Sequence, residues 1–167
     1  LGKQDHYISS FGGMKVIFYK KNIIKVKNLK ISKKNKLFLQ NNILFFYTGK
    51  TRASHQNLKK QKKNLNKNIS KLLDLKDLTE NIIEEFQKTN INIKRVGEIL
   101  DKSWQLKKKF TNEISNSFLD KIYKKAIKSG CYGGKLLGAG GGGFFLFICH
   151  KKNHKKVENR ISCRLEF

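Results

Sequence analysis

The pattern of apolar and polar positions predicts strands near the beginning of the chain. Three short runs of aromatic and β-branched residues, the types that favour strands, lie at 16–19, 23–26 and 43–48. Glycine and asparagine residues, which favour turns, bound these runs. The pattern therefore predicts a β-rich segment up to about residue 50.

Between about residue 55 and residue 129 the apolar positions recur at the spacing of amphipathic helices. Three apolar stripes cover residues 58–72, 75–86 and 96–110, and Thr89-Asn90 is predicted to end the helix that carries the second stripe. A fourth helix is predicted to begin at Ser117, with the Ser117 hydroxyl as its cap and Asp120 favouring the same end. We expect Gly130 to end it, because glycine adopts the left-handed conformation at the least cost. Its predicted core face consists of Leu119, Ile122, Tyr123 and Ala126.

A glycine-rich segment and a strongly apolar run follow the fourth helix. Residues 138–143 contain five glycines and Ala139, and residues 144–149 are apolar on both faces, as in strands buried on both sides of a sheet. A basic helix is predicted at 151–160 and the start of a further strand at 163–167. Strands on both sides of a helical middle predict an α+β fold in which helices pack on a sheet.

The net charge of +25, from 37 basic and 12 acidic residues in a chain of 167, suggests a partner such as nucleic acid. Nearly all the basic residues are lysines scattered along the chain, and Arg95 is one of only four arginines. A composition bias towards A/T-rich codons explains this distribution better than a dedicated interface. A non-enzymatic nucleic-acid or polyanion binder remains the alternative interpretation.

Composition and spacing also bear on the compartment and on metals. No apolar run is long enough for a membrane span, and the first residues show no signal-peptide pattern, so we expect a cytoplasmic protein without a membrane partner. The three cysteines and four histidines have no metal-ligand spacing, so no metal site is predicted. The sequence does not indicate an oligomeric state.

The glycine run is the most specific candidate for chemistry. Its backbone amides could approach the anionic oxygens of a ligand, or its glycines could serve only to let two backbones pack closely. It does not match the Walker A motif, because no Gly-Lys-Ser/Thr follows the run, and it does not match the dinucleotide fingerprint, because a strand rather than a helix comes after it. Asp5 could accept a hydroxyl proton or could serve as a helix or turn cap. Arg52 could bind a phosphate or could be an ordinary loop residue.

Several segments together resemble the GHMP family of small-molecule kinases, and most of all its branch that acts on D-glycero-D-manno-heptose 7-phosphate. They occur in the family's order over residues 2–149. The segments are Gly2-Lys3-Gln4-Asp5-His6-Tyr7, Phe11-Gly12-Gly13, Phe45-Phe46-Tyr47-Thr48-Gly49-Lys50-Thr51-Arg52, Ile114-Ser115-Asn116, and Gly133-Gly134-Lys135-Leu136-Leu137-Gly138-Ala139-Gly140-Gly141-Gly142-Gly143-Phe144.

The resemblance implies a set of roles. Asp5 would act as base towards, or orient, the acceptor hydroxyl, and Lys3, Gln4 and Arg52 would bind the substrate. A loop beside the phosphate-transfer site would consist of Lys135, Gly138, Ala139, Gly140, Gly141, Gly142 and Gly143. The implied partners are ATP with Mg²⁺ and a sugar phosphate, with no specific nucleic acid.

Departures from the family pattern imply that the chain corresponds to the C-terminal part of such a kinase. The Gly-Leu-Gly-Ser-Ser phosphate loop, the usual magnesium ligands and the basic partner of the aspartate are absent, and His6 stands where this branch usually has Gln. We therefore expect residues 1–50 to be the last part of an N-terminal domain and residues 51–167 to be a C-terminal domain. The isolated chain is expected to be inactive and, because its strand edges would be unpaired, poorly soluble. Alternatively, it docks to a polypeptide that carries the missing half.

Overall fold

The structure is a computed structural model that describes residues 3–20, 23–50 and 69–162. The described residues form six α-helices, five strands and one 3₁₀ turn, Lys151–Asn153. The helices are α1 (Lys3–Phe11), α2 (Lys33–Asn41), α3 (Ile69–Gln87), α4 (Ile93–Lys108), α5 (Ser117–Lys128) and α6 (His154–Ser162). The strands are β1 (Lys15–Lys20), β2 (Ile23–Asn28), β3 (Ile43–Tyr47), β4 (Gly133–Leu136) and β5 (Phe144–Ile148). The α+β prediction is confirmed.

Two antiparallel sheets contain the described strands. β1 and β2 form a hairpin, and β5 lies between β3 and β4 in a three-stranded sheet. The central place of β5 confirms the prediction from its apolar sequence, since Phe145 and Phe147 are fully buried, although Phe144 at its first position is half exposed. Because β3 pairs with β5, the sheet contains strands from both sides of residue 50, and the predicted division into two domains stays a prediction.

Helix α5 packs against this sheet with the predicted face, because Leu119, Ile122, Tyr123 and Ala126 are all buried. Its cap differs from the prediction. The side chain of Asn116 accepts a hydrogen bond from the amide of Leu119, so Asn116 is the N-cap and Ser117 the first helical residue. Gly130 follows the last turn with a φ of +111°, which confirms the predicted left-handed end.

The β-rich interpretation of the first fifty residues is correct for three strands but missed two helices. Ser32 is the N-cap of α2, and its hydroxyl accepts a hydrogen bond from the amide of Asn35. The buried Asn35 side chain donates to the carbonyl of Lys88. α1 occupies the segment ahead of the first strand, where no helix was predicted. Both helices have only nine residues, and helices that short depend on tertiary contacts more than on local sequence.

The helical middle is confirmed where the structure describes it. The second stripe lies on α3, which begins at Ile69 and ends at Gln87, just before the predicted stop. The third lies on α4, and the predicted basic helix corresponds to the 3₁₀ turn with α6. Leu58, Leu65 and the predicted strand at 163–167 lie outside the described residues.

The core lies between α4, α5, α6 and the three-stranded sheet. Trp104 is fully buried there and meets Phe145 edge-on with ring centroids 5.8 Å apart, which is a packing role. α4 lies directly on β4, because a Cβ on Gly133 would stand 1.9 Å from the carbonyl oxygen of Gly97. No helix in the described part of the chain is long and apolar enough to cross a bilayer.

Candidate functional site

The glycine-rich segment forms the loop between β4 and β5, and residues of the 48–50 segment hold its far end. The amide of Thr48 donates to the carbonyl of Gly143 (2.9 Å), and the amide of Gly143 donates to the carbonyl of Lys50 (2.8 Å). The ammonium of Lys50 lies 4.8 Å from the centroid of the Phe118 ring. Two segments that are far apart in sequence are thereby joined beside the loop.

Two different structural features favour glycine at positions in this loop. A Cβ on Gly140 would stand 2.9 Å from the Cα of Ile114, and one on Gly142 would stand 2.5 Å from the carbonyl oxygen of Lys50. Gly138 has open space where a Cβ would be, but its φ of +72° disfavours other residues. Close backbone packing therefore accounts for some of the glycines, as the alternative interpretation held.

Some backbone amides of the loop donate hydrogen bonds to carbonyls of the protein and thereby fix the conformation of the loop. The amide of Leu137 donates to the carbonyl of Phe144 (2.8 Å), and that of Gly141 donates to the carbonyl of Ile114 (3.0 Å). Together with Gly143, three amides in this segment are directed to the protein's own carbonyls. The amides of Gly141 and Gly143 therefore do not belong to a set of amides that turn inward towards a ligand.

Lys107 on α4 contacts the loop and was not among the predicted site residues. Its ammonium donates to the carbonyl of Gly138 at 2.6 Å. Burial, together with the positive charge of Lys135, lowers the pKa of Lys107 to about 8. In a sequence so rich in lysine, no local signal distinguished Lys107 from its neighbours Lys108 and Lys109.

Gln4 and Lys135, two predicted site residues far apart in sequence, line one cleft. The cleft has a volume of about 480 Å³ and lies between α1, the β1–β2 hairpin, α3 and β4. Its other polar lining side chains include Tyr19 and Thr79. Burial also lowers the pKa of Lys135, which marks its ammonium as poorly hydrated. Gly138 to Gly143 do not line this cleft. Through Lys135 the cleft borders β4, the strand that leads into the glycine loop.

Asp5 lies in the first turn of α1, one position after Gln4, and is exposed. Its negative charge is near Tyr19, whose pKa is raised by burial, by Tyr7 and by Asp5. Among the described residues its carboxylate has no hydrogen-bond or ion-pair partner. A carboxylate in the first turn also interacts favourably with the helix dipole, so the structure leaves both interpretations of Asp5 in place.

The remaining predicted site residues are only partly covered by the structure. Lys3 begins α1, and Arg52 lies outside the described residues. Across residues 3–20, 23–50 and 69–162, no group of three or more His, Cys, Asp or Glu side chains could hold a metal ion.

Comparison with known proteins adds independent information. A family model described as GHMP kinases C terminal matches residues 82–166, about half of the chain. A D-glycero-alpha-D-manno-heptose 7-phosphate kinase from Campylobacter jejuni is 32% identical over 161 residues, which are 94% of this chain and 47% of that protein. The chain therefore spans about half the length of this relative.

Two solved structures share the fold at low identity. L. major mevalonate kinase in complex with R-mevalonate superposes with a TM-score of 0.74 at 16% identity, over 97% of this chain and 48% of that one. Streptococcus pneumoniae phosphomevalonate kinase in complex with phosphomevalonate and AMPPNP superposes with a TM-score of 0.66 at 16% identity, over 84% and 40% of the chains. The glycine loop between β4 and β5, the helices packed on the antiparallel sheet and the family match agree, and the chain belongs to the GHMP kinase family through its C-terminal domain.

Proposed function

We propose that this chain is the C-terminal part of an ATP-dependent sugar-phosphate kinase whose acceptor is a heptose 7-phosphate. The observation that carries the proposal is the cleft in which Gln4, next to Asp5 on α1, and Lys135, at the entrance to the glycine loop, lie together. The heptose kinase relative supports the substrate class. The comparisons give no support to a nucleic-acid or polyanion binder.

In the proposed reaction the γ-phosphorus of ATP forms a bond to an acceptor hydroxyl oxygen while its bond to the bridging oxygen breaks, which releases ADP. Asp5 accepts the proton of that hydroxyl or orients it, and its exposed place on α1 leaves its carboxylate accessible to a substrate. Lys135 offsets negative charge on a phosphate, while Gln4 and Lys3 on α1 bind the sugar phosphate. Arg52, which lies outside the described residues, is assigned to the same role. Positioning and charge neutralisation supply most of the catalysis in phosphoryl transfer.

ATP and Mg²⁺ enter the proposal through the resemblance. No step assigned to these side chains passes through a metal. Mg²⁺, when bound with ATP, would neutralise charge on the phosphates. A cytoplasmic location and the inactivity of the isolated chain belong to the same proposal.

The experiment compares Asp5→Asn with Asp77→Asn in the full-length protein from which this chain derives. Asp77 is an exposed carboxylate on α3 and serves as the matched control. We expect Asp5→Asn to lower kcat roughly a hundredfold or more, because it removes the base while keeping the side-chain shape. Asp77→Asn should retain the wild-type rate with ATP and a heptose 7-phosphate.

Two outcomes would contradict the proposal. Full activity of Asp5→Asn would remove Asp5 from the reaction, and no ATP-dependent product with any sugar phosphate would remove the function. The 167-residue chain assayed alone should give no product, and robust turnover by it would refute the expected inactivity.

A further inference from the structure

Thr48 directly follows β3, and its buried hydroxyl contacts the end of the glycine loop. Only 1% of the residue is exposed. The hydroxyl accepts a hydrogen bond from the amide of Gly143 (3.1 Å) and lies 2.9 Å from the carbonyl oxygen of Gly143 and 3.3 Å from that of Lys50. Its single proton is therefore donated to one of these two carbonyls. The side chain thus bonds to a residue 95 positions further along the chain.

The backbone groups that the hydroxyl contacts have other hydrogen-bond partners. The amide of Gly143 also donates to the carbonyl of Lys50, and the carbonyl of Gly143 also accepts from the amide of Thr48. Threonine favours strands, but valine does so equally and would bury no polar atom at this place. Neither the satisfaction of backbone groups nor strand propensity therefore explains why a hydroxyl is buried here.

Gly143 differs from two other glycines of the loop in what restrains it. A Cβ on Gly140 would stand 2.9 Å from the Cα of Ile114, and one on Gly142 would stand 2.5 Å from the carbonyl oxygen of Lys50, so packing restrains both residues. Gly143 has open space where a Cβ would be, and its φ of +101° lies in a region where glycine is conformationally permissive. Hydrogen bonds, and not packing, must therefore fix Gly143, and the Thr48 hydroxyl contacts both of its backbone polar groups.

We propose that Thr48 is a positioning residue, whose hydroxyl fixes the backbone of Gly143 and thereby the conformation of the glycine loop. Its part in the reaction rests on the proposed function, in which this loop lies beside the phosphate-transfer site. Thr48 is buried, so it acts through the loop and not on the substrate. Because a displacement of about 1 Å can slow a positioned reaction roughly a hundredfold, a loosened loop lowers kcat more than it weakens substrate binding.

The first test measures the loop itself, by hydrogen exchange and mass spectrometry of the 167-residue chain. Thr48→Val should accelerate amide exchange in a peptide covering residues 137–147 roughly fivefold, because the Gly143 amide loses one of its two acceptors. Thr48→Ser keeps the hydroxyl and should exchange like the wild type. Ser129→Ala is the matched control, since the Ser129 hydroxyl is equally buried but donates to the carbonyl of Lys125 (2.7 Å) at the end of α5. It should leave the exchange of the loop unchanged.

The second test measures the kinetics of the full-length protein from which the chain derives, with ATP and a heptose 7-phosphate. Thr48→Val should lower kcat roughly tenfold and leave both KM values within about twofold, and Thr48→Ser should restore most of the rate. Thr48→Cys carries a thiol that is only a weak hydrogen-bond donor and acceptor. Its rate should fall between those of the other two variants, and it serves the same comparison if Thr48→Val does not fold.

Four outcomes would overturn the proposal. Unchanged loop exchange in Thr48→Val, or equal acceleration in Ser129→Ala, would show that the hydroxyl does not fix the loop specifically. Thr48→Ser as slow as Thr48→Val would assign the effect to the methyl group. An active enzyme in which Thr48→Val exchanges faster but keeps its kcat would limit Thr48 to a structural role.

The exchange measurement separates this proposal from the proposed function. Accelerated exchange in Thr48→Val, together with a full-length protein that phosphorylates no sugar phosphate, would refute the proposed function while supporting the effect of Thr48 on the loop.

Discussion

Lys107 shows how a single side chain can connect stability to a site. Burial and the positive charge of Lys135 lower the pKa of its ammonium, so the folded state holds this proton less tightly than the unfolded chain does, despite the hydrogen bond to Gly138. An unfolded lysine keeps its proton up to a pH of about 10.4. Between a pH of about 8 and that value the unfolded state binds more protons, and the free energy of unfolding must increase with pH.

The resulting prediction concerns stability between pH 7.5 and 9, a window below the ordinary pKa of tyrosine. The contribution of Lys107 to the free energy of unfolding should rise by about 1 kcal/mol across it, after allowance for the partial exposure of this residue. Lys107→Met should be more stable than the wild type at pH 7.5 and should lose this part of the rise. Urea denaturation at several pH values measures both quantities. An identical slope in the variant and the wild type would show that Lys107 does not titrate in this range.

The close contacts of the glycines involve partners that could not be predicted from the sequence. The run at 138–143 is conspicuous, yet its packing against Ile114 and Lys50 depends on partners that are distant in sequence. The contact between Gly133 and Gly97 joins a strand to a helix in the same way. Local patterns identify the glycines but not the backbones that approach them.

At the scale of elements, long amphipathic stretches were predictable and short docked helices were not. The buried face of α5 and the central strand β5 follow from strong apolar patterns. α2 instead depends on Ser32 as its cap and on the bond from Asn35 to the carbonyl of Lys88, a contact across 53 positions. The cleft was predictable only through the resemblance, because nothing in the local sequence joins Gln4 to Lys135.

The start of α5 provides a prediction at this scale. Asn116→Ala should lower the free energy of unfolding by about 1 kcal/mol, because the amide of Leu119 would lose its side-chain acceptor at the helix terminus. Ser117→Ala is the matched control and should change stability by less than about 0.5 kcal/mol, since its hydroxyl is not the cap. Thermal and chemical denaturation of both variants measure the difference. A larger loss in Ser117→Ala would restore Ser117 as the cap.

At the scale of the whole molecule, the hairpin presents an apolar surface within a strongly basic protein. Phe18 and Ile23 are 44% and 64% exposed, and they share one hairpin face with Lys20, Lys25 and Lys27. In the described part of the chain no third strand pairs with β1 or β2. Exposed apolar surface and free strand edges favour association, whereas a net charge of +25 opposes it through repulsion between copies.

The balance between these two forces predicts that salt promotes self-association of the chain. At about 50 mM salt the charges repel over roughly 14 Å, whereas at about 500 mM they are screened within about 4 Å and apolar contact dominates. The sedimentation coefficient should therefore increase with salt, and Ile23→Lys should suppress the increase because it removes apolar area and adds charge. Leu37→Lys adds the same charge at a residue that is 60% exposed on α2, so it controls for charge alone. Equal suppression by both variants would show that repulsion, rather than the hairpin surface, governs the behaviour, and association that weakens with salt would contradict the apolar origin altogether.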